Sequence, residues 1–118
     1  MHKIRDMEGT RLSKVSRLLQ KDLGDIFQKE GMTLFRGKII TVTSVRVSPD
    51  LGLAKVYISI FPTDKKEEVL QIVKEHTKPI RHELAQRVRH QLRIVPELAF
   101  FLDDSLDYIE NIDKLLKS

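Results

Sequence analysis

Apolar residues recur at intervals of three and four positions in the first quarter of the chain. They are Leu12, Val15, Leu19, Leu23 and Ile26. This spacing places them on one side of an amphipathic helix, which we predict from about Thr10 to Glu30. Gly31 follows at once and is expected to end the helix. The next stretch, "GMTLFRG", is typical of a loop, with Leu34 and Phe35 tucked under the domain.

The pattern then changes to β-branched residues in alternation with polar ones. The stretches "KIITVTSVRV" (38–47) and "LAKVYISIF" (53–61) predict two strands, and "SPDLG" between them suits a hairpin. The second strand alternates strictly, so one of its faces is expected to be buried. The first strand does not, because Val42 and Val45 are three residues apart. A β-bulge and a strand covered on both faces would each explain that spacing.

Helical signals return after the second strand. Asp64, with Glu67 three residues later, approaches a capping box and predicts a short helix that stops near His76 or Thr77. Pro79 disfavours helical geometry at the residue before it, so a second helix is expected to begin around Pro79. We expect this helix to continue until Pro96 stops it. Its apolar side would be formed by Ile80, Leu84, Val88 and Leu92.

The end of the chain predicts one more strand and one more helix. Leu98 to Leu102 is apolar throughout, which is typical of a short strand lying among others. Asp103-Asp104-Ser105 then caps a short C-terminal helix at about 104–116. The predicted fold is therefore α+β, in the order α-β-β-α-α-β with a three-stranded sheet packed on helices. Residues 1–9 are expected to form a mobile N-terminus, and 10–118 a single domain that includes the C-terminal helix.

Charge is distributed unevenly along these elements, although the net charge of the 118 residues is only +4. Residues 1–21 carry six Lys/Arg against two Asp/Glu, and residues 74–93 also carry six against two. The middle, 22–73, carries seven of each, and 97–118 carries two against six. Two basic helical segments on a small, otherwise balanced domain indicate a partner rich in phosphate.

The basic side chains cluster when they are placed on the predicted helices. Lys14, Arg17 and Lys21 fall within about 60° of one another on the first helix. Four more, with Arg81 flanking the apolar side, share a face of the long second helix: Lys78, His82, Arg89 and Arg93. A solvated charged face is the alternative explanation for either cluster.

Several function classes find no support in the sequence. There is no cysteine, and no phosphate-binding or nucleophile motif occurs; "HELAQ" places Gln86 where a zinc helix needs histidine. No cofactor or metal is expected. The N-terminus lacks an apolar run, so a cytoplasmic protein is expected. Nucleic-acid backbone binding and protein interaction remain the main hypotheses, with Tyr57 as the only good base-stacking candidate.

Two longer stretches resemble a known family. They are "VRVSPDLGLAKVYISIF" (45–61) and "RHQLRIVPELAFFLDDSLDYIENIDKLL" (89–116). They are similar to bacterial ribosome-binding factor A, whose recurring V-S-x-D-L…A-K-V-Y-(V/I) hairpin is matched from Val47 to Ile58. The family's R-x-(V/I)-P-E-L-x-F-x-x-D-x-S segment is matched from Arg93 to Ser105. The predicted order of elements is also that of the type II KH domain, an RNA-binding fold.

The resemblance implies a non-enzymatic assembly factor. Such a protein would bind the small (30S) ribosomal subunit and its rRNA late in maturation, near the 5′-end helix and the neck, and support 5′-end processing of the rRNA precursor. It would matter most in the cold, act as a monomer and be released with the help of partner GTPases. The alternatives are a KH-like module acting on other RNAs and a protein-interaction domain.

Eight side chains are expected to contact rRNA phosphates under this hypothesis. They are Lys78, Arg81, His82, Arg89 and Arg93, with Lys14, Arg17 and Lys21 as a secondary patch. The chain departs from the family in the turn between the paired helices. KH domains carry G-x-x-G there and this family Ala-x-Gly, whereas "EHTKPI" (75–80) contains no glycine. Because glycine permits close backbone approach to phosphate, contact is assigned to side chains instead.

Overall fold

The computed structural model of the chain describes residues 2–31, 33–35 and 37–103, with side chains described from residue 11 onward. Its elements are α1 (His2–Glu30), β1 (Ile39–Val47), β2 (Leu53–Phe61), α2 (Lys66–Glu75), α3 (Thr77–Val88) and β3 (Glu97–Leu102). This order confirms the predicted α+β arrangement α-β-β-α-α-β. The C-terminal helix predicted at about 104–116 lies outside the described residues.

Helix α1 begins earlier than its apolar spacing indicates. It starts at His2, eight residues before the predicted start, and ends at Glu30 just before Gly31, as expected. Residues 2–9 have no apolar period, but Lys, Arg, Met and Glu are good helix formers without one. From Val15 to Phe27 the apolar side of the helix is buried in the core. Whether the first nine residues are mobile stays a prediction.

The sheet has the strand order β1-β2-β3. Strands β1 and β2 are antiparallel, from Ile39 opposite Phe61 to Val47 opposite Ala54. Strands β2 and β3 are parallel. Because β3 is the last strand in this order, it lies at the edge of the sheet, and the expectation that it lies among other strands is wrong. Its apolar run is explained differently: Leu98 and Phe100 face the core, whereas Phe101 is 42% exposed.

A β-bulge accounts for the irregular alternation in β1. The pairing register shifts between Val42 and Ser44, so that one extra residue stands in β1. The insertion brings Val42 and Val45 to the same buried face although they are three residues apart. Of the two explanations open at the sequence level, the bulge is the one observed. In β2 the predicted buried face is confirmed at Ala54, Val56, Ile58 and Ile60.

The starts of α2 and α3 differ from the predictions. The residue before α2 is Lys65, in the left-handed conformation, and no side chain caps the helix. Asp64 is not the cap, because its Oδ1 accepts a hydrogen bond of 2.9 Å from Lys38 Nζ, which lowers the pKa of this carboxyl. Helix α3 starts at Thr77, two residues before Pro79. Proline is tolerated there because the first turn of a helix has no internal acceptor for its N–H groups.

The hairpin between β1 and β2 is stabilised by one carboxylate. Asp50 Oδ1 accepts hydrogen bonds from Ser48 Oγ at 2.6 Å and from the Gly52 N–H at 3.0 Å. The Ser48 bond is the main cause, and the Gly52 bond the second, of a lowered Asp50 pKa. The carboxylate therefore stabilises the fold in its charged form.

Replacing Asp50 by alanine is expected to destabilise the protein in a pH-dependent way. Since the folded-state pKa of Asp50 lies below its ordinary value of 3.8, wild type should exceed the variant in stability above about pH 4. That difference should shrink as the pH falls below 3.8 and through the lower folded value. Chemical denaturation of both proteins between about pH 2.5 and 7 would measure it. A difference that stays constant over this range would contradict the role of the charge.

Candidate nucleic-acid interface

The first group of basic residues lies on the exposed side of α1. Lys14, Arg17 and Lys21, which we call the α1 basic cluster, are all exposed because the opposite side of the helix is buried against the sheet. None of the three forms an ion pair within the described part of the chain. Their charges are therefore not neutralised locally, and they are available to an anionic partner.

The α1 basic cluster borders an open groove between the helix and the outer edge of β1. Arg17 and Lys21 line one side of the groove, and residues 39–42 line the other. Gln20 holds the helix to the strand, since its Nε2 donates to the Val42 carbonyl at 3.0 Å, next to the bulge. The bulge thus helps to set how α1 presents its basic side chains.

A second group lies at the start of α3. Lys78, Arg81 and His82, which we call the α3 basic cluster, line a cleft between α3 and β3, together with Val95 and Glu97. All three side chains are exposed. Glu97 is the acidic residue in this cleft, and its negative charge opposes the binding of an anion there. His82 Nε2 lies 3.2 Å from Gln86 Nε2, one turn along the helix.

Within the described residues, Arg81, unlike Lys78, forms hydrogen bonds to the backbone of the protein. Its Nε donates to the Pro96 carbonyl at 3.0 Å, and its Nη2 donates to the Val95 carbonyl at 2.7 Å. The guanidinium therefore holds the segment that leads into β3 against α3. Its remaining N–H groups can still face the cleft, but the residue has a structural role that the sequence did not indicate.

Replacing Arg81 by alanine is expected to lower the free energy of unfolding by about 1–2 kcal/mol, because two charge-assisted hydrogen bonds to backbone are lost. Thermal or urea unfolding would measure the loss. Lys78→Ala is the matched control, since Lys78 is exposed on the same helix and makes no hydrogen bond within the described range; it should change stability by less than about 0.5 kcal/mol. Equal effects from both substitutions would contradict this role of Arg81.

The helix that was predicted to run from about Pro79 to Pro96 is shorter in the structure, so the prediction of one continuous basic face along it is wrong. Helix α3 ends at Val88, and both Gln91 and Leu92 donate their backbone N–H to the Val88 carbonyl, at 2.8 Å each, in a turn. Arg89 and Arg93 are exposed, but both lie beyond the end of α3: Arg89 is the residue just after the helix, and Arg93 lies in the connection to β3. Leu92 continues the apolar spacing because it also packs against the core, although it lies beyond the helix, and the turn starts well before Pro96.

The α1 and α3 basic clusters are separate surfaces. They line different grooves, and a set of ion pairs joins α1 to α3 beside them. Arg87 on α3 lies 3.8 Å from Asp22 and 3.7 Å from Asp25, and Lys29 Nζ lies 2.9 Å from Glu83 Oε1. Arg87 is therefore occupied within the fold. An RNA that uses both clusters must contact the domain at two places.

The turn between α2 and α3 offers no glycine and little room. His76 is the single residue between the helices, and its backbone N–H donates to the Ile72 carbonyl at 3.1 Å. Its ring Nδ1 lies 2.8 Å from the same carbonyl oxygen, and Thr77 Oγ1 donates to the Lys74 carbonyl at 2.8 Å. Local bonds thus close this turn, which agrees with the assignment of phosphate contacts to side chains.

Sequence reasoning missed two basic residues and one aromatic residue on the strands that could also contact a nucleic acid. Arg46 lines a groove together with Arg17 and extends the basic surface of α1 onto β1. Lys55 and Phe101 lie on the same sheet face as Tyr57. The alternation of apolar and polar residues in β2 could have identified Lys55, because it places Lys55 and Tyr57 together on the solvent-exposed face of the strand.

Other kinds of site find no support in the described residues. Across 2–31, 33–35 and 37–103, no three His, Asp or Glu side chains converge to hold a metal ion. None of the helices in this part of the chain is both long and apolar enough to cross a bilayer.

Comparison with known proteins gives consistent matches. A family model described as ribosome-binding factor A matches residues 11–116. The protein of that name from Christiangramia forsetii is 49% identical over 114 residues, covering 93% of this chain and 85% of that protein. The one from Flavobacterium johnsoniae is 50% identical over 114 residues, with the same coverage of both chains.

Solved structures agree with the sequence matches. The crystal structure of ribosome-binding factor A from Thermus thermophilus matches with a TM-score of 0.65 and 27% identity, over 77% of this chain and 94% of that one. A Thermus thermophilus homology model, fitted into a cryo-EM map of a complex between the 30S subunit and ribosome-binding factor A, matches with a TM-score of 0.59 and 28% identity. It covers 74% of this chain and 89% of that one.

Proposed function

Because the chain belongs to the ribosome-binding factor A family, we propose that it binds the small ribosomal subunit as an assembly factor. The observation that carries this proposal is the family match over residues 11–116, which includes both basic clusters. The relative fitted into a 30S complex supports the choice of the small subunit. The protein would act in the cytoplasm, without catalysing a reaction itself.

The basic clusters would supply the contacts to rRNA. Phosphate groups on a folded RNA lie at fixed spacings, so two separated basic surfaces on a rigid domain can recognise its shape. Lys14, Arg17 and Lys21 would meet one backbone segment, and Lys78 with His82 another. Arg81, Arg89 and Arg93 remain proposed contacts at the side of the second surface.

The consequence for assembly follows from where such a protein binds. We propose that it acts late in maturation, near the 5′-end helix and the neck, and that it supports 5′-end processing of the rRNA precursor. A bound protein that holds an rRNA segment in one arrangement would matter most in the cold, where misfolded RNA escapes slowly. Assembly GTPases are the proposed agents of release, and the protein would act as a monomer.

Co-sedimentation tests the proposal. The full chain would be incubated with isolated small subunits, large subunits or bulk RNA, and each experiment repeated across a salt series. We expect preferential binding to small subunits that weakens with salt, since each phosphate contact contributes a slope of about −0.7 to −0.9 in log K against log salt. Equal binding to all three would leave a generic RNA binder, and salt-independent binding would indicate a protein partner.

A further inference from the structure

The face of the sheet that points away from the helices carries exposed aromatic and basic side chains. The helices and the buried strand residues form one core on the other face. The outward face presents Phe61 at 59% exposure and Ile39 at 62%, paired across β1 and β2. Farther along the strands, Tyr57 stands opposite Phe101 on β3. This face plays no part in the function proposed above.

Tyr57 forms the centre of a stack across the three strands. Its ring and that of Phe101 are nearly parallel, with centroids 5.5 Å apart and planes 28° from each other. The Arg46 guanidinium lies over the Tyr57 ring, with Cζ 5.8 Å from its centroid. Because Arg46 belongs to β1 and Phe101 to β3, they flank Tyr57 from opposite sides, and Phe101 ends the stack at the sheet edge with 42% of its surface exposed.

Positive charge accompanies the stack. Lys55 is directly opposite Arg46 in the β1–β2 pairing and is exposed. Neither cation forms an ion pair within the described residues. The acidic residues described on this face are at the ends of β3: Glu97, and Asp103, which accepts a hydrogen bond from Thr43 Oγ1. The centre of the face is thus aromatic and cationic.

We propose that this face binds single-stranded RNA, with a base stacked on Phe101 and the adjacent phosphates held by Arg46 and Lys55. An exposed ring at the end of a stack suits any base, because every base has a π-face, and the two cations complement the backbone charge. The preference for RNA as the occupant rests on the proposed function. The surface would engage an unpaired rRNA segment while the helical clusters contact folded rRNA.

Fluorescence anisotropy with a labelled octauridylate and the full chain tests this proposal without ribosomal subunits. Phe101→Leu is expected to weaken binding about tenfold, since base–aromatic stacking at a site of this kind is typically worth that much or more. Tyr57→Leu should weaken binding by a similar factor, because it removes the ring that packs against Phe101 and orients it. Tyr57→Phe, which keeps the ring, should bind within about twofold of wild type. An abasic oligomer with the same number of phosphates should bind the wild type about tenfold more weakly than octauridylate does.

Phe61→Leu is the matched control, because Phe61 is an exposed aromatic residue on the same face without a stacked partner among the described residues. It should change the affinity by less than about twofold, and melting curves would show that all variants are folded. The proposal would be overturned if the wild type bound the abasic oligomer as tightly as octauridylate. It would also be overturned if Tyr57→Leu, Phe101→Leu and Phe61→Leu all lost the same affinity. Because this assay contains no subunits, its failure is distinguishable from failure of small-subunit binding in co-sedimentation.

Discussion

Replacing Phe27 by alanine is expected to lower the free energy of unfolding by about 3–5 kcal/mol. Phe27 is 1% exposed and joins three parts of the fold. Phe27 lies on α1, and the centroid of its ring is 5.6 Å from that of Phe35, in the connection after the helix, and 5.9 Å from that of Phe100 on β3. Alanine would leave a cavity where these elements meet, and the surrounding core can collapse only in part.

Urea unfolding would measure this loss as a lower midpoint with an unchanged slope. Since small domains are stable by only about 5–15 kcal/mol, this loss is a large fraction of the total, and the variant should also unfold at a lower temperature than wild type. Phe61→Ala makes the same chemical change at a residue that is 59% exposed, and it should lower stability by less than about 1 kcal/mol. A loss below about 1 kcal/mol for Phe27→Ala would contradict the packing described here.

Reversing two charges of the α1 basic cluster is expected to weaken small-subunit binding by on the order of 100-fold. In Arg17→Glu/Lys21→Glu, two contacts to phosphate, each worth roughly 1.5 kcal/mol, would be lost and replaced by repulsion. The salt dependence should fall as well, by about 1.4–1.8 in the slope. Both residues are exposed and unpaired within the described chain, so the free energy of unfolding should change little. Sedimentation binding curves at several salt concentrations would measure both effects.

The matched control is Lys65→Glu/Lys74→Glu. It changes the net charge equally, at exposed positions before and in α2 that lie outside both basic clusters. We expect it to weaken binding only slightly, through the altered overall charge. If this control and the α1 double variant lose the same affinity, net charge alone would govern binding and the α1 basic cluster would have no specific role.

Periodic apolar residues predicted the elements of this fold well, because burial is the dominant constraint on them. The spacing from Leu12 to Ile26 located α1, and the alternation from Ala54 to Ile60 located the buried face of β2. The irregular pair Val42 and Val45 indicated that β1 departs from simple alternation. Which explanation holds depends on the register with β2, and sequence spacing alone does not contain that information.

Boundaries were predicted less well, because distant partners determine them. Asp64 has the chemistry of a helix cap, but Lys38, 26 residues earlier, binds its carboxylate instead. Leu92 continues the helical period past Val88, yet the chain turns there to reach β3. In each case a local signal competed with a tertiary contact that only the folded chain provides.

In the candidate site, too, features set by one regular element could be predicted, and features set by contacts between elements could not. The α1 basic cluster could be predicted, since one regular helix fixes the angles between Lys14, Arg17 and Lys21. The second surface could be predicted only in part, because it includes a cleft formed with β3 and a guanidinium that binds backbone there. The stack at Tyr57 could not be predicted beyond that residue, since Arg46 and Phe101 come from other strands.

Lysine modification of the protein, alone and on the small subunit, tests the central claim most directly. Each exposed lysine would be acetylated in both states and its rate measured by mass spectrometry. We expect Lys14, Lys21 and Lys78 to be strongly protected on the subunit, whereas Lys65, outside both basic clusters, reacts at an unchanged rate. Unchanged rates at Lys14, Lys21 and Lys78 in a complex shown to be saturated would contradict binding through the two helical surfaces.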